Sequence, residues 1–174
     1  MDFGTAPPAQ GDLASEAGEK MTMDDSKAME RRLVVRLLQY WRGLGDIDRL
    51  PRQADIDADV IADMWPNCAL LDVTGGKDTD PEILFIGTDL TVRAGAELTG
   101  KMLSSAAADT LVSKGFSYFG QVLAKKVPIT FGGEFKDVRG VKILYRSIIL
   151  PLTKDGTDIT ALLAAANCRE VAQD

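Results

Sequence analysis

The pattern of apolar and polar residues in the C-terminal third of the chain predicts a long β-hairpin. Residues 141–153 (VKILYRSIILPLT) and 158–168 (DITALLAAANC) are two apolar runs separated only by Lys-Asp-Gly-Thr. An Asp-Gly pair between two β-rich runs is typical of a hairpin turn. Strands this apolar belong at the centre of a sheet with at least one face covered. The hairpin therefore predicts a fold class, and it carries no residue that indicates catalysis.

Three shorter runs predict the remaining strands of the sheet, at residues 68–74, 82–89 and 128–135. They are rich in β-branched, aromatic or other apolar residues, and Gly or Pro lies close to their ends. With the hairpin, the count is five strands. The sequence therefore predicts an α+β fold.

Helical spacing of apolar residues predicts a helix over residues 106–126. The apolar positions that carry this spacing are Val112, Phe116, Phe119 and Leu123. A shorter helix, capped by Asp55 or Asp57, is expected to end before Pro66. A loop with short turns is expected between the second strand and about Ser105.

A further helix is predicted over residues 26–45, after a tail at residues 1–25 that is poor in large apolar groups and is expected to be flexible. Its apolar side is wider than a single core contact needs. Two interpretations stay open: the helix lies in a groove of its own domain at residues 46–174, or it also packs against a second chain as a dimerisation helix. The dimer-interface candidates are Leu33, Val34, Leu37, Leu38 and Trp41.

Composition excludes several classes of function. The net charge of −6 argues against a nucleic-acid binder or a binder of anionic membranes, since both require a surplus of Lys and Arg. No apolar run approaches the roughly 20 residues of a membrane-spanning helix. No secretory signal is visible, and two cysteines make no disulfide framework, so a cytoplasmic location is expected. The chain contains no histidine, which excludes His-ligated haem, His-containing zinc sites and His-based acid–base catalysis.

Three local patterns resemble functional motifs. Residues 95–101 (GAELTGK) match the start of a phosphate-binding loop, but Met102 stands where Ser or Thr must ligate magnesium. The alternating aspartates at 55–59 resemble a calcium loop but lack its turn glycine and its bidentate Glu, so no metal site is predicted. Cys68 and Cys168 begin and end predicted strands; two buried small hydrophobes are favoured over a redox pair.

Two blocks of short motifs stand out in the sequence, with a few further matches between them. The first block contains Tyr40-Trp41-Arg42-Gly43, Leu50-Pro51-Arg52, Asp55-Ile56-Asp57 and Leu70-Leu71-Asp72. The second contains Tyr145-Arg146, Leu150-Pro151-Leu152, Asp155-Gly156 and Leu162-Leu163, with Gly87-Thr88 and Leu98-Thr99-Gly100-Lys101 between the blocks. In their order and spacing these motifs resemble a family of small stand-alone PAS-domain proteins of bacteria, and the resemblance covers about residues 30–166. It implies a five-stranded antiparallel sheet with helices over one face and an N-terminal helix that often mediates dimerisation.

The resemblance implies a non-enzymatic sensory or regulatory module that binds a small ligand or a partner protein and signals through a partner. Cysteinyl-flavin photochemistry is disfavoured because no Asn-Cys-Arg-Phe-Leu motif is present, and the absence of histidine disfavours His-ligated haem. The ligand-cavity candidates are Leu111, Phe116, Phe119, Phe131, Tyr145 and Ser147. The hydroxyls of Tyr145 and Ser147 could anchor a ligand or could bond to the protein itself, and both interpretations stay open.

Two other functions are weighed beside the sensory module. The first is an interaction adaptor whose cavity is filled by its own side chains. The second is a small enzyme with a curved sheet, which would need a buried carboxylate of raised pKa. Asp72 is the only strand-borne candidate for such a carboxylate, and its position near a turn favours solvation.

Overall fold

The computed structural model describes residues 23–46, 48–76 and 78–172 of the 174-residue chain. The tail predicted for residues 1–25 lies, as far as residue 22, outside the described residues. The strands are β1 (Cys68–Asp72), β2 (Glu82–Ile86), β3 (Ile129–Lys136), β4 (Lys142–Thr153) and β5 (Ile159–Glu170). The α-helices are α1 (Met23–Leu44), α2 (Thr88–Ala94), α3 (Leu111–Gly115) and α4 (Phe119–Lys125).

The five strands form one antiparallel sheet in the order β2-β1-β5-β4-β3. The predicted hairpin is its centre, because β4 and β5 pair along nearly their whole length, from Ile143 opposite Glu170 to Thr153 opposite Ile159. The turn is held by the carboxylate of Asp155, which accepts from the backbone amides of Thr157 and Asp158. These bonds lower the pKa of Asp155. The predicted fold class is confirmed.

The helix predicted over residues 106–126 is two short helices, α3 and α4. Thr110 caps α3, with its hydroxyl oxygen accepting from the amide of Ser113, and the chain then turns at Phe116–Tyr118. The turn buries Phe116 and Tyr118 together against the sheet, whereas one continuous helix would place them 200° apart around its axis. Helical spacing therefore predicted correctly that this segment is helical, but it did not predict the turn that divides it into two helices.

Two further expectations about helices are corrected. Residues 88–94, expected as the end of a strand and a loop, form α2, which Gly95 ends in a left-handed conformation. The helix expected between Asp55 and Pro66 is instead a series of turns between two short 3₁₀ segments, Gln53–Asp55 and Trp65–Asn67. The aspartates there bond to nearby amides, as when the Asp57 carboxylate accepts from the amide of Asp59, and so favour turns.

The sheet carries a hydrophobic core on each face. On one face α2, α3 and α4 pack over side chains that include Leu71, Phe116 and Ile149. On the other face α1 packs over β4 and β5, around Ile148 and Leu163. Helices α2, α3 and α4 thus share one face of the sheet, and the N-terminal helix α1 covers the opposite face.

Small residues make β5 a thin part of the sheet. Ala164 and Ala166 face the core beneath α3, and Ala161 and Ala165 face α1. A Cβ placed on Gly115 of α3 would lie 3.5 Å from the Cβ of Ala166, so this helix approaches the strand closely. β5 therefore separates the two cores by little more than its backbone.

Polar contacts fix α1 to the rest of the domain. The indole Nε1 of Trp41 donates to the carbonyl of Pro151 at 2.8 Å, and the hydroxyl of Tyr40 accepts from the amide of Asp57 at 2.7 Å. Arg36 forms an exposed salt bridge of 2.6 Å with Asp63. The helix therefore has a defined position on the sheet as well as an apolar contact.

Gly87 is required by a close approach of two backbone segments. A Cβ at this position would lie 2.3 Å from the carbonyl oxygen of Pro66 and 2.5 Å from that of Trp65. We expect Gly87→Ala to lower the free energy of unfolding by about 1–3 kcal/mol or more, since the backbone must shift. Urea titration monitored by circular dichroism measures this change.

Gly120→Ala in α4 is the matched control, because a Cβ there meets nothing within 4 Å. It should be neutral or should stabilise the protein by up to about 1 kcal/mol through helix propensity. Equal stabilities for the two variants would contradict the close approach at Gly87.

Candidate ligand-binding site on the helix face of the sheet

The six predicted cavity residues lie together on the helix face of the sheet, but they do not surround an empty cavity. Phe116 and Ser147 are fully buried, and Leu111 and Tyr145 are nearly so. Phe119 packs at the border of this core, and Phe131 is 48% exposed on β3. The predicted residues therefore share one face of the sheet, whose interior the protein fills with its own side chains.

The buried hydroxyl groups on this face bond to the protein itself. The hydroxyls of Tyr118 and Ser147 lie 3.0 Å apart, and Tyr118 also donates to the carbonyl of Ile129 at 3.3 Å. The hydroxyl of Tyr145 donates to the carbonyl of Lys114 at 3.3 Å. Burial raises the pKa of Tyr118 to about 12, so this phenol is neutral. Of the two interpretations left open for Tyr145 and Ser147, the structure shows the bonding to the protein.

The Tyr118–Ser147 pair predicts an asymmetry between two conservative variants. Tyr118→Phe removes the partner of a fully buried Ser147 hydroxyl and should cost about 1–3 kcal/mol of stability. Ser147→Ala should lower the stability by less, because the hydroxyl of Tyr118 still donates to the carbonyl of Ile129. The double variant should show coupling of about 0.5 kcal/mol or more in urea unfolding. Strictly additive losses would show that this bond contributes nothing.

Aromatic rings form a row along β3 and β4 on the same face. Phe131 has its ring centroid 5.3 Å from that of Tyr118 and 6.4 Å from that of Tyr145, and Phe135 lies 5.8 Å from Tyr145. Tyr145 lies over Gly133, where a Cβ would come within 3.0 Å of its hydroxyl oxygen. The order of the rings is therefore Tyr118, Phe131, Tyr145 and Phe135, and Phe131 is the exposed member of the row.

An open groove of about 870 Å³ lies at one end of this face. Its walls are the C-terminal end of α2, residues 107–111, the β3–β4 hairpin and the end of β5. The apolar lining includes Leu111, Phe135 and Ile143, of which Leu111 is the one predicted cavity residue that reaches the groove. Polar and charged residues make up about half of the lining, and the volume of the groove lies in the range of small-molecule sites.

Charged groups of both signs surround the groove. The guanidinium of Arg139 contacts the carboxylates of Asp137 at 2.7 Å and Glu170 at 2.8 Å. The hydrogen bond from Arg139 lowers the pKa of Asp137, and the two carboxylates raise the pKa of Arg139. Arg93 and Asp109 also line the groove. The groove therefore suits an amphipathic molecule with a polar end.

Cys68 and Cys168 do not form a redox pair. β1 and β5 are antiparallel neighbours, but the register places Cys68 opposite Ala165, and Cys168 lies three residues further along. Cys68 faces the α1 core, and Cys168 borders the core of the helix face. Burial raises the pKa of the Cys68 thiol to about 12, which keeps it protonated and unreactive.

The carboxylate of Asp72 lacks the property that an acid–base role would need. It accepts a 2.8 Å hydrogen bond from the amide of Thr74, and this bond lowers its pKa. Within the described residues, no cluster of three or more His, Cys, Asp or Glu side chains is placed to hold a metal ion. None of the described helices combines the length and apolarity needed to cross a membrane.

The predicted dimer-interface residues of α1 contact the protein's own sheet. Leu33, Val34 and Leu37 are buried there, and Leu38 and Trp41 pack beside them. The outer side of the helix exposes Arg32, Val35, Arg36 and Gln39. Dimerisation through α1 stays a prediction, and this outer, largely polar side is what the helix would present to a second chain.

The sheet order, the short helices over one face and the long N-terminal helix over the other define a PAS-type α+β domain. The sequence profile of the family described as PAS domain matches residues 29–165, and the chain belongs to this family. PAS domains are generally sensory modules. No curated protein sequence matches the chain significantly.

Several solved PAS and LOV domains are similar to this chain at low sequence identity and with TM-scores below 0.5. The PAS domain of BvgS from Bordetella pertussis is 14% identical, with a TM-score of 0.46 over 66% of this chain and 83% of that chain. The light state of the blue-light photoreceptor aureochrome1 LOV is 11% identical, with a TM-score of 0.43 over 67% and 89%. The PAS domain of the fruit-fly ELK potassium channel is 15% identical, with a TM-score of 0.43 over 64% and 96%.

Proposed function

We propose that the chain is a non-enzymatic sensory module that binds a small amphipathic molecule in the groove at the end of the helix face. The observation that carries this proposal is the groove itself: about 870 Å³, lined by Leu111, Phe135 and Ile143, and bordered by charges of both signs. The apolar part of a ligand would lie on Phe135 and on the exposed Val92 and Val138 of the lining. Its polar end would meet the charged rim.

The position of the groove supports a mechanism in which ligand binding is transmitted through the sheet to α1. The end of β5 lines the groove, and the preceding residues of the same strand contact α1. A ligand that binds one arrangement of β5 more tightly would shift the population of arrangements of α1, by no more than its difference in affinity. The signal would then pass to a partner protein that contacts α1.

Native mass spectrometry of freshly purified full-length protein tests the groove. Ala107→Trp places an indole in the groove, and Ala124→Trp, at an exposed position of α4 outside it, is the matched control. We expect one small molecule per chain in the wild type and in Ala124→Trp, and loss of that molecule in Ala107→Trp. Retention of the molecule by Ala107→Trp would place the site elsewhere.

A ligand-free interaction adaptor is the second candidate function. It is favoured by the filled interior, in which Phe116 and Ser147 have no exposed surface. Under this alternative the wild type shows only its own mass, and no metabolite mixture raises its melting temperature. Chemical cross-linking of the full chain in its native cell extract would still capture a partner, and substitution of the exposed Arg32 and Val35 on α1 would abolish that capture.

A further inference from the structure

The two edges of the sheet differ in whether the chain covers them. The outer edge of β2 is covered: the amide of Gly100 donates to the carbonyl of Ile83 at 2.7 Å, and the amide of Ile83 donates to the carbonyl of Lys101 at 2.8 Å. The amide of Leu103 continues this contact to the carbonyl of Pro81. β3 pairs with β4 on one side, and no strand of the described residues pairs with its other side.

The register of β3 shows which backbone groups face outward. The amide of Asp137 donates to the carbonyl of Val141, so the odd-numbered residues of β3 direct their backbone groups to β4. The even-numbered residues therefore direct their amides and carbonyls away from the sheet. These residues are Thr130, Gly132, Glu134 and Lys136, and all four are exposed. As far as the described part of the chain shows, β3 thus offers a row of unpaired backbone donors and acceptors, which is a template for a further strand.

We propose that the outer edge of β3 pairs antiparallel with the same edge of a second copy, about a two-fold axis at Gly133. This register overlaps the whole strand and brings outward-facing residues opposite each other. Thr130 lies opposite Lys136 of the second copy, and Gly132 lies opposite its Glu134. Two five-stranded sheets would join into one continuous sheet.

The aromatic row favours this register over others. Phe131, which is 48% exposed, lies opposite Phe135 of the second copy, and the reciprocal pair forms on the other side of the axis. Both are non-hydrogen-bonded pairs, in which the side chains of opposite residues are closest. Cross-strand aromatic pairs stabilise an antiparallel pairing. The rings of Phe131, Tyr145 and Phe135 in each copy would continue across the interface.

The charges on the opposite face of β3 are compatible with the same register. No like charges lie directly opposite each other, since Lys136 meets Thr130 and Glu134 meets Gly132. The two Glu134 side chains are diagonal neighbours, and each lies 3.2 Å from the ammonium of Lys142 in its own copy. A single strand-to-strand contact is smaller than a permanent dimer interface, so the dimer is reversible, with a dissociation constant of about 1 μM or weaker.

Sedimentation velocity on the full chain at increasing concentration tests the edge. Thr130→Pro removes an outward-facing amide at an exposed edge position, where proline is tolerated, and Thr130→Val keeps that amide. We expect concentration-dependent dimers for the wild type and Thr130→Val, and a folded monomer for Thr130→Pro. A monomeric wild type overturns the proposal, as does a dimer that survives Thr130→Pro but is lost in Val35→Glu on α1.

Disulfide cross-linking tests the register. In the proposed pairing Thr130 faces Lys136 of the second copy at the separation of about 5.5 Å that a disulfide spans. The Thr130→Cys/Lys136→Cys double variant should form covalent dimers under mild oxidation, whereas each single variant should cross-link no more than the wild type with its two native cysteines. Efficient cross-linking of a single variant, or none of the double variant, contradicts the register.

Discussion

Replacing Phe116 with alanine is expected to lower the free energy of unfolding by about 3–5 kcal/mol. The ring has no exposed surface and lies at the turn between α3 and α4, where it packs into the core of the helix face. Removing it takes away the burial energy of the ring and leaves a cavity that the surrounding strands cannot fully close. Urea unfolding followed by tryptophan fluorescence gives the magnitude.

Phe119→Ala serves as the control for Phe116→Ala, because Phe119 is only partly buried in the same helical region. We expect its loss to be less than half as large. The cavity left by Phe116→Ala is apolar, so a small apolar compound such as benzene should raise the melting temperature of this variant but not that of the wild type. Rescue of both proteins would show that the interior already contains a ligand cavity.

Leu37→Ala is expected to lower the free energy of unfolding by about 2–5 kcal/mol, because Leu37 is fully buried between α1 and the sheet. Val35→Ala, two residues away, removes a side chain that is 50% exposed and should change stability by less than about 0.5 kcal/mol. Thermal unfolding measures both changes. Amide hydrogen exchange in α1 should also rise in Leu37→Ala.

The Leu37 variant also tests whether α1 packs mainly on its own sheet or mainly on a second chain. A helix that lies on its own sheet loses stability with Leu37→Ala at every protein concentration. If α1 packed mainly on a second chain, Leu37→Ala would instead lower the fraction of dimer, with little change in the unfolding free energy of the monomer. The burial of Leu33, Val34 and Leu37 predicts the first result.

The strands were predictable because their pattern is local and strong. The Asp-Gly turn and the apolar runs on either side of it define β4 and β5 without reference to the rest of the chain. α2 was missed because its seven residues bury only Leu90, too few to produce a visible period. A signal was present in Asp89 in the first turn and in Gly95, whose left-handed conformation ends the helix.

The candidate site was only partly predictable. Alternation along β4 placed Tyr145 and Ser147 on one face correctly, since strand residues alternate strictly. The same alternation cannot show that Tyr118, on a different segment, supplies the partner of the Ser147 hydroxyl. The groove is built from segments that lie far apart in the sequence, so its existence depends on tertiary packing that no local pattern records.

Because β5 carries alanines, few side chains between the two faces of the sheet can change rotamer to absorb a displacement. A leucine can change its rotamer and absorb a displacement, whereas an alanine side chain has no rotamer to change. A shift of α3 against Ala166 would therefore move the strand itself, and with it Ala165 and the helix on the other side. Ala165→Leu would add a bulky side chain between β5 and α1, at a cost in packing. The resulting change in the position of α1 would show how far that position depends on the small residues of β5.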